Sequence, residues 1–489
     1  MGNHVVRSNN GSTKSNSSKK TVYSSRKPSG NSSATDMEHN FVTHFVPVDK
    51  LTKILNDLTY ENENINGISV DIFTRYLFPN YKEFGNRFYY FLLTSSGTSS
   101  SYLNSPTFKQ QVEKFLSQMN DRTLLDIYVQ VYSNTTDDSS DVTVNALKDL
   151  FMMSYRLSMD DCLPTCNYIE ETIDAAVTSC FHGKENLSAT FVCNWLWQNT
   201  PKLLYSIHRY VVHVLTTSYR NGKVFPTAEE SHPHIGSVTP VIEKTDFSLE
   251  TSDLLPISHV WLLSTTLSSR YVQVEVPSPT EENTNIPLSF KMAGTPCPSH
   301  WSLLYSSDLH GAAVNRLLHH VLGYRGPTIL FIRGSSSNNK CVTYCIGSTV
   351  EWHESSSYWG GDDSIVIQLK PIYRLIEKGP KLLYLNTLIR GYAQGLRAGS
   401  DTRNPIINVD QSFNSVMIEG APYRIMTIEV WGCGDRKLKE KQLDIKRWQV
   451  KEAEKQRVVK LSSADWMDHP DRYLLELAGR PTYSNAENK

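Results

Sequence analysis

The chain has 489 residues, 39% of them hydrophobic, and a formal net charge of -1. That length accommodates about three domains, and the near-neutral balance excludes attraction to nucleic acid or anionic lipid through a global field, leaving only local patches for that purpose. The most apolar short run, Val260-Trp261-Leu262-Leu263 after Leu254-Leu255, falls far short of the ~20 residues that span a bilayer, so no transmembrane helix is expected. The eight cysteines, Cys162, Cys166, Cys180, Cys193, Cys297, Cys341, Cys345 and Cys433, form no CxxC pair. They read as reduced structural thiols of a cytosolic protein, with no metal and no cofactor.

The leader, residues 1–40, is rich in Ser and Asn and carries no apolar secretory signal, which again points to the cytosol. Its first 35 residues contain Arg7, Lys14, Lys19, Lys20, Arg26 and Lys27 and no acidic residue. Gly2 supplies the amino terminus that N-myristoylation requires, although Val6 stands where Ser or Thr is usual. One myristoyl chain binds membranes at only about 10⁴ M⁻¹ and needs a second signal, which those six basic residues provide on an anionic surface. The alternative is a solvated leader with an incidental glycine. The expectation is a disordered, basic, lipid-anchored leader.

Residues 41–219 show helical apolar spacing, as in Val48, Leu51, Leu55, Leu58 and in Phe108, Val112, Phe115, Met119. Ser105-Pro106 reads as a cap followed by proline at the first helical position. Ile169, Ile173, Ala176, Val177 and Cys180 form another stripe, and Leu204, Ile207, Val211 and Val214 a further one. An all-helical domain is predicted. Two of its loops invite comparison with EF-hands. The loop from Asn62 has Gly67 at position six but Phe73 where a bidentate Glu is needed, and the loop from Asp137 has Val142 in place of the glycine and Lys148 at position twelve. EF-hand-like helix pairs that bind no calcium are the reading. Residues 220–256, with Gly222, Pro226, His232-Pro233-His234, Gly236 and Pro240, hold no period and read as a linker.

The next segment, 257–434, mixes one helix with several strands. Val314, Leu317, Leu318, Val321 and Leu322 make a single apolar stripe that ends at Gly323. Strands are predicted over 328–332, 341–346, 364–369, 381–385 and 423–431. The fold class is therefore α+β. The same segment carries His300-Trp301-Ser302-Leu303-Leu304-Tyr305-Ser306 leading into Asp308-Leu309-His310-Gly311, then Tyr358-Trp359-Gly360-Gly361, then Ile428-Glu429-Val430-Trp431-Gly432. In this order the motifs resemble those of the TLD (TLDc) domain family. The resemblance implies a β-sandwich flanked by helices, with Trp301, His310, Gly311, Gly360, Glu429, Trp431 and Gly432 as structural motif positions, and no established catalysis. The chain departs from the family pattern between Leu396 and Pro422, where Ala398-Gly399-Ser400-Asp401 leads to Ile406-Ile407-Asn408-Val409-Asp410.

His310 and Glu429 are the candidates for acid–base work, but no phosphate loop, nucleophile elbow or metal-ligand spacing accompanies them. Structural roles are expected for both, and no catalytic residue is assigned.

Residues 435–489 open with ten Lys or Arg and five Asp or Glu over 435–460 and no Pro or Gly, which predicts a long basic helix. Its thin apolar stripe is Leu438, Ile445, Trp448 and Val459. Trp448, Trp466, Tyr473 and Leu474 are anchors suited to a partner groove. The overall organisation resembles a lysosomal, mTOR-associated subgroup of TLD proteins. That resemblance implies a myristoylated, non-enzymatic regulator on the cytosolic face of lysosomal membranes, with mTOR complex components, the V-type proton ATPase and the anionic membrane surface as partners. The competing reading is a TLD protein, enzymatic or not, in oxidative-stress resistance. Nucleic-acid binding is not expected, because Tyr23 is the leader's one interleaved aromatic and no nucleic-acid fold accompanies it.

Overall fold

The computed structural model describes residues 46–97, 100–118, 120–136, 139–159, 166–225, 252–272 and 300–457, together with 473–474 and 477–478. The leader, the greater part of the segment read as a linker, and Met119 and Trp466 lie outside them.

Helical periodicity in the first half gives α1 (Val46–Glu63), α2 (Val70–Leu77), α3 (Lys82–Ser95), α4 (Ser105–Leu116) and α5 (Asp121–Val131). After the short strands β1 (Asn134–Thr136) and β2 (Ser139–Thr143) come α6 (Val144–Met159) and α7 (Ile169–Phe181). The strand β3 (Asn186–Ser188), α8 (Ala189–Asn199) and α9 (Tyr205–Thr217) complete the region. The stripe Val48, Leu51, Leu55, Leu58 is buried, as is Phe108, Val112, Phe115. The cap of α4 is not Ser105: Asn104 accepts from the Thr107 N–H at 2.8 Å, placing Ser105 and Pro106 inside the first turn. Asparagine, with its amide oxygen in reach of the third N–H, serves this position as well as serine does.

The helices pair as helix–loop–helix units. Ile68 and Leu103 exchange backbone hydrogen bonds of 2.7 and 3.2 Å between the α1–α2 and α3–α4 loops. Val142 of β2 lies opposite Leu187 of β3, joining the α5–α6 and α7–α8 loops in the same manner. Phe73 and Val142, at the loop positions where a calcium site needs a carboxylate and a glycine, are both buried. Among the described residues no group of three His, Cys, Asp or Glu side chains could hold a metal, and no helix is long and apolar enough to cross a membrane.

The helix α10 (Ile257–Thr266) is buried over nearly its whole circumference, as a helix without a polar face must be. Trp261 meets Tyr155 of α6 edge-on, with ring centroids 5.2 Å apart. The end of the segment read as a linker also packs inward, with Leu254 and Leu255 almost fully buried. A short α11 (Ser269–Val272) follows.

The sheet region begins with β4 (Ser302–Ser306), α12 (Ser307–His310) and α13 (Val314–Val321). Then come β5 (Thr328–Ser335), β6 (Cys341–Ser348), β7 (Ile365–Lys370), β8 (Arg374–Lys378) and β9 (Leu383–Asn386). The strands β10 (Gly395–Ala398), β11 (Ile407–Val409), β12 (Ser415–Ile418) and β13 (Ala421–Gly432) precede the terminal α14 (Arg436–Arg457). All pairings are antiparallel, in the order β8-β7-β6-β5-β13-β12-β11-β10-β9, with β4 beside β13. The long β13 is the joint of this arrangement. It pairs with β5 from 424 to 432, while its other edge is shared between β12 near its start and β4 near its end.

The inner faces of the two halves meet in one apolar core, in which Leu330, Ile332, Tyr344 and Val366 pack with Leu385, Leu396, Val409 and Val416. The family's sandwich is thus one sheet folded across itself. Its five strands missed by sequence patterning, β4, β8, β10, β11 and β12, have three to five residues each.

Helical region and sheet are directly bonded. The Tyr373 N–H donates to Ala175 O at 3.0 Å, the Leu375 N–H to Asn199 Oδ1 at 2.9 Å, and Lys370 pairs with Glu171 at 2.8 Å.

Candidate functional site

Most of the motif residues gather where β13 pairs with β4, and the Trp359-Gly360 pair lies at the β9 edge. Along β13 the burial alternates up to Thr427 and is continuous from Ile428, because the end of the strand is covered on both faces. Glu429 sits in that covered stretch at 5% exposure. Its Oε2 accepts from Ser252 Oγ at 2.6 Å and from Trp431 Nε1 at 3.0 Å. The structural role expected of this carboxylate is thus the acceptance of two neutral side-chain donors. Ser252 was not singled out in the sequence, where nothing links residues 177 positions apart.

Trp431 is fully buried, and Trp301 donates its indole N–H to Tyr271 O at 2.8 Å. Gly432 is required by close approach: a Cβ there would stand 2.7 Å from the Tyr324 ring. Gly360 has φ +134°, in the range that favours glycine. It follows Trp359, whose backbone exchanges bonds of 2.7 and 2.8 Å with Leu383 and so fastens this motif to the β9 edge.

His310 ends α12, and its Nδ1 accepts from the Ser306 N–H at 3.1 Å, closing the turn that leads to Gly311 at φ +85°. Tyr305 locks the same turn by donating its hydroxyl to Gly311 O at 2.8 Å. The His310 ring lies 3.9 Å from that of His320 and is stacked on Tyr305 at 5.8 Å. Burial first, and the neighbouring His310 second, push the His320 pKa down to about 4. His310 and Glu429 thus each have hydrogen-bond partners of their own, the Ser306 N–H for the ring and Ser252 and Trp431 for the carboxylate.

The other feature is α14, whose two ends differ. Leu438 packs on the sheet core, and Gln442, 3% exposed, donates through Nε2 to His320 O at 2.9 Å and Leu322 O at 3.0 Å. Lys439 Nζ reaches Leu303 O at 3.0 Å and Lys446 Nζ reaches His320 O at 3.4 Å. Gln442 and Lys446 thereby satisfy carbonyls at the C-terminal end of α13, where a helix leaves its last carbonyls without internal partners, while Lys439 ties α14 to β4. The rest of the helix surface is open: Leu443, Ile445, Trp448 and Val450 are exposed, Trp448 at 63%. The predicted stripe is therefore not one seam, since Leu438 faces the core while Ile445 and Trp448 face solvent; Val459 lies outside the described residues.

Tyr473 and Leu474 are likewise exposed. Gly2, Arg7, Lys14, Lys19, Lys20, Arg26, Lys27 and Trp466 lie outside the described residues.

A folded-over antiparallel sheet with these motif contacts defines a class, and the comparisons agree with it. Residues 288–434 match the family model described as the TLDc domain, and the chain carries a TLDc domain. It is similar to a protein named Restriction of telomere capping protein 5 from Colletotrichum graminicola, 24% identical over 42% of this chain and 45% of the relative. It is also similar to the protein of the same name from Neurospora crassa, 22% identical over 39% of this chain and 43% of the relative. The chain spans less than half the length of these curated relatives.

Proposed function

We propose that the chain is a non-enzymatic regulatory binding module, present in the cytoplasm and on the cytosolic face of the lysosomal membrane. In this reading it supports mTOR signalling, engages the V-type proton ATPase through its TLD domain and α14, and is held at the anionic membrane by myristate on Gly2 and the basic leader.

The observation that carries the binding role is the division of α14. Its first turns are fixed by part-buried hydrogen bonds from Gln442, while Leu443, Trp448 and Val450 face solvent on the same helix. A pre-ordered helix presenting a tryptophan loses little further entropy on docking, and tryptophan is the residue type most enriched at binding hot spots. Glu429 and His310 are each engaged in holding the fold. The lysosomal site and the named partners rest on the motif resemblance.

The test is a tagged pull-down from lysosome-enriched membranes with the intact chain, Gly2→Ala and a truncation after Gly434. Recovery of proton-pump subunits by the intact chain, reduced by the truncation, supports the proposal. If none of the three recovers pump or mTOR components, turnover by the intact chain in oxidative-defence assays becomes the reading to pursue.

A further inference from the structure

Between α7 and the sheet lies a cleft of about 410 Å³, lined on one side by Tyr168, Glu171 and Ala175 and on the other by Arg333, Cys341, Thr343 and Lys370. The sheet wall has an ordered composition. Arg333 lies opposite Thr343 in the β5–β6 register, and Thr343 opposite Lys370 in the β6–β7 register. Directly paired residues share a face of a sheet, and neighbouring strands are about 4.8 Å apart. The row is thus a guanidinium and an ammonium on either side of a hydroxyl, two strand spacings from end to end, with side chains long enough to converge above Thr343.

Arg333 is held over the cleft by its Nη2 bond to Asp253 O at 2.8 Å. Lys370 meets the Glu171 carboxylate at 2.8 Å, and that carboxylate, on a side chain 59% exposed, can swing into solvent. With Glu171 more than half exposed and Lys370 22% exposed, solvent screens this pair and its contribution to stability is small. Glu171 brings one negative charge to one end of the row, whereas a phosphate dianion could engage both cations and accept from the threonine, with bidentate geometry available at Arg333. The carboxylate of Asp253 lies on the same lining and opposes the anion.

We propose that this cleft is a binding site for a phosphate-bearing ligand, seated on the Arg333–Thr343–Lys370 row in place of the Glu171 carboxylate. Occupancy releases one of the ion pairs between the helical region and the sheet, so the ligand also loosens that joint. This function is separate from partner docking by α14.

Cys341, exposed on the lining, is the reporter. Its alkylation rate in the full-length chain is followed by peptide mass spectrometry, with inorganic phosphate in one arm and phosphatidylcholine vesicles with or without phosphatidylinositol 4-phosphate in the other. The expected result is several-fold slowing of alkylation by phosphate or by the phosphoinositide vesicles; which arm protects assigns a soluble ligand or a lipid headgroup. Glu171→Gln should lower the half-protecting concentration several-fold, and Arg333→Gln should raise it at unchanged melting temperature. The opposite directions separate binding from damage to the fold. Protection in neither arm, or protection unaltered by both substitutions, overturns the proposal.

Discussion

The end of β13 and the outer part of α14 carry similar residue types in opposite circumstances. Trp431 is sealed, with its indole N–H on Glu429, whereas Trp448 stands 63% exposed on the helix that follows the domain. Glu429 is held by two donors, whereas the α14 acids pair only at the surface, as Asp444 does with Arg447. The contrast teaches that a motif which identifies a family need not be the part that recognises a partner. Where polar and aromatic groups already satisfy one another inside the fold, they specify the fold; where the same groups face water on a rigid element, they remain available.

The comparison can be broken most forcefully at Trp431. Trp431→Ala should cost about 3–5 kcal/mol, as large-to-small core substitutions do, read as a large drop in melting temperature. Glu429→Ala should cost about 1–3 kcal/mol by leaving the Ser252 hydroxyl and the Trp431 N–H without their acceptor. Chemical denaturation measures that loss, and Glu429→Gln should recover part of it through the remaining carbonyl oxygen.

Acidification sharpens the same contrast without mutation. Burial lowers His208 and His259 from an ordinary value near 6.5 to about 4. Between those values the unfolded chain binds more protons than the folded one, so stability rises with pH there. The contribution is complete above about 6.5 and is lost as pH falls towards 4, which urea titrations across that range would record. Gln442→Ala should cost roughly 1–2 kcal/mol, from lost bonds to His320 and Leu322 carbonyls, and should speed amide exchange in the first turns of α14. The smallest effect is expected of Trp448→Ala, within about 0.5 kcal/mol of the parent, as for surface positions without buried partners.

Legibility in the sequence followed the range of the interactions. The α13 stripe and the buried stripe of α1 could be read because a helix writes its core face into residues three and four apart. The main strands of the sheet were readable from their β-branched runs. The short strands were not, because β10 to β12 acquire their pairing from neighbours brought close by the fold. The anchoring of α14 was obscured for a different reason: it rests on Gln442, Lys439 and Lys446 donating to carbonyls, and periodicity of apolar residues is blind to such contacts. The Ser252–Glu429 bond had no local trace at all. By contrast, the openness of Trp448 was legible, since the residues around it are charged.

The most direct test of the account compares Trp448→Ala with His310→Asn in the membrane pull-down, melting temperatures being measured alongside. Asparagine can place an acceptor where His310 Nδ1 receives the Ser306 N–H, so the turn should survive. The account predicts that Trp448→Ala loses recovery of the partner at an unchanged melting temperature while His310→Asn retains it. Retention by Trp448→Ala together with loss by a folded His310→Asn would contradict it and move recognition to the motif itself.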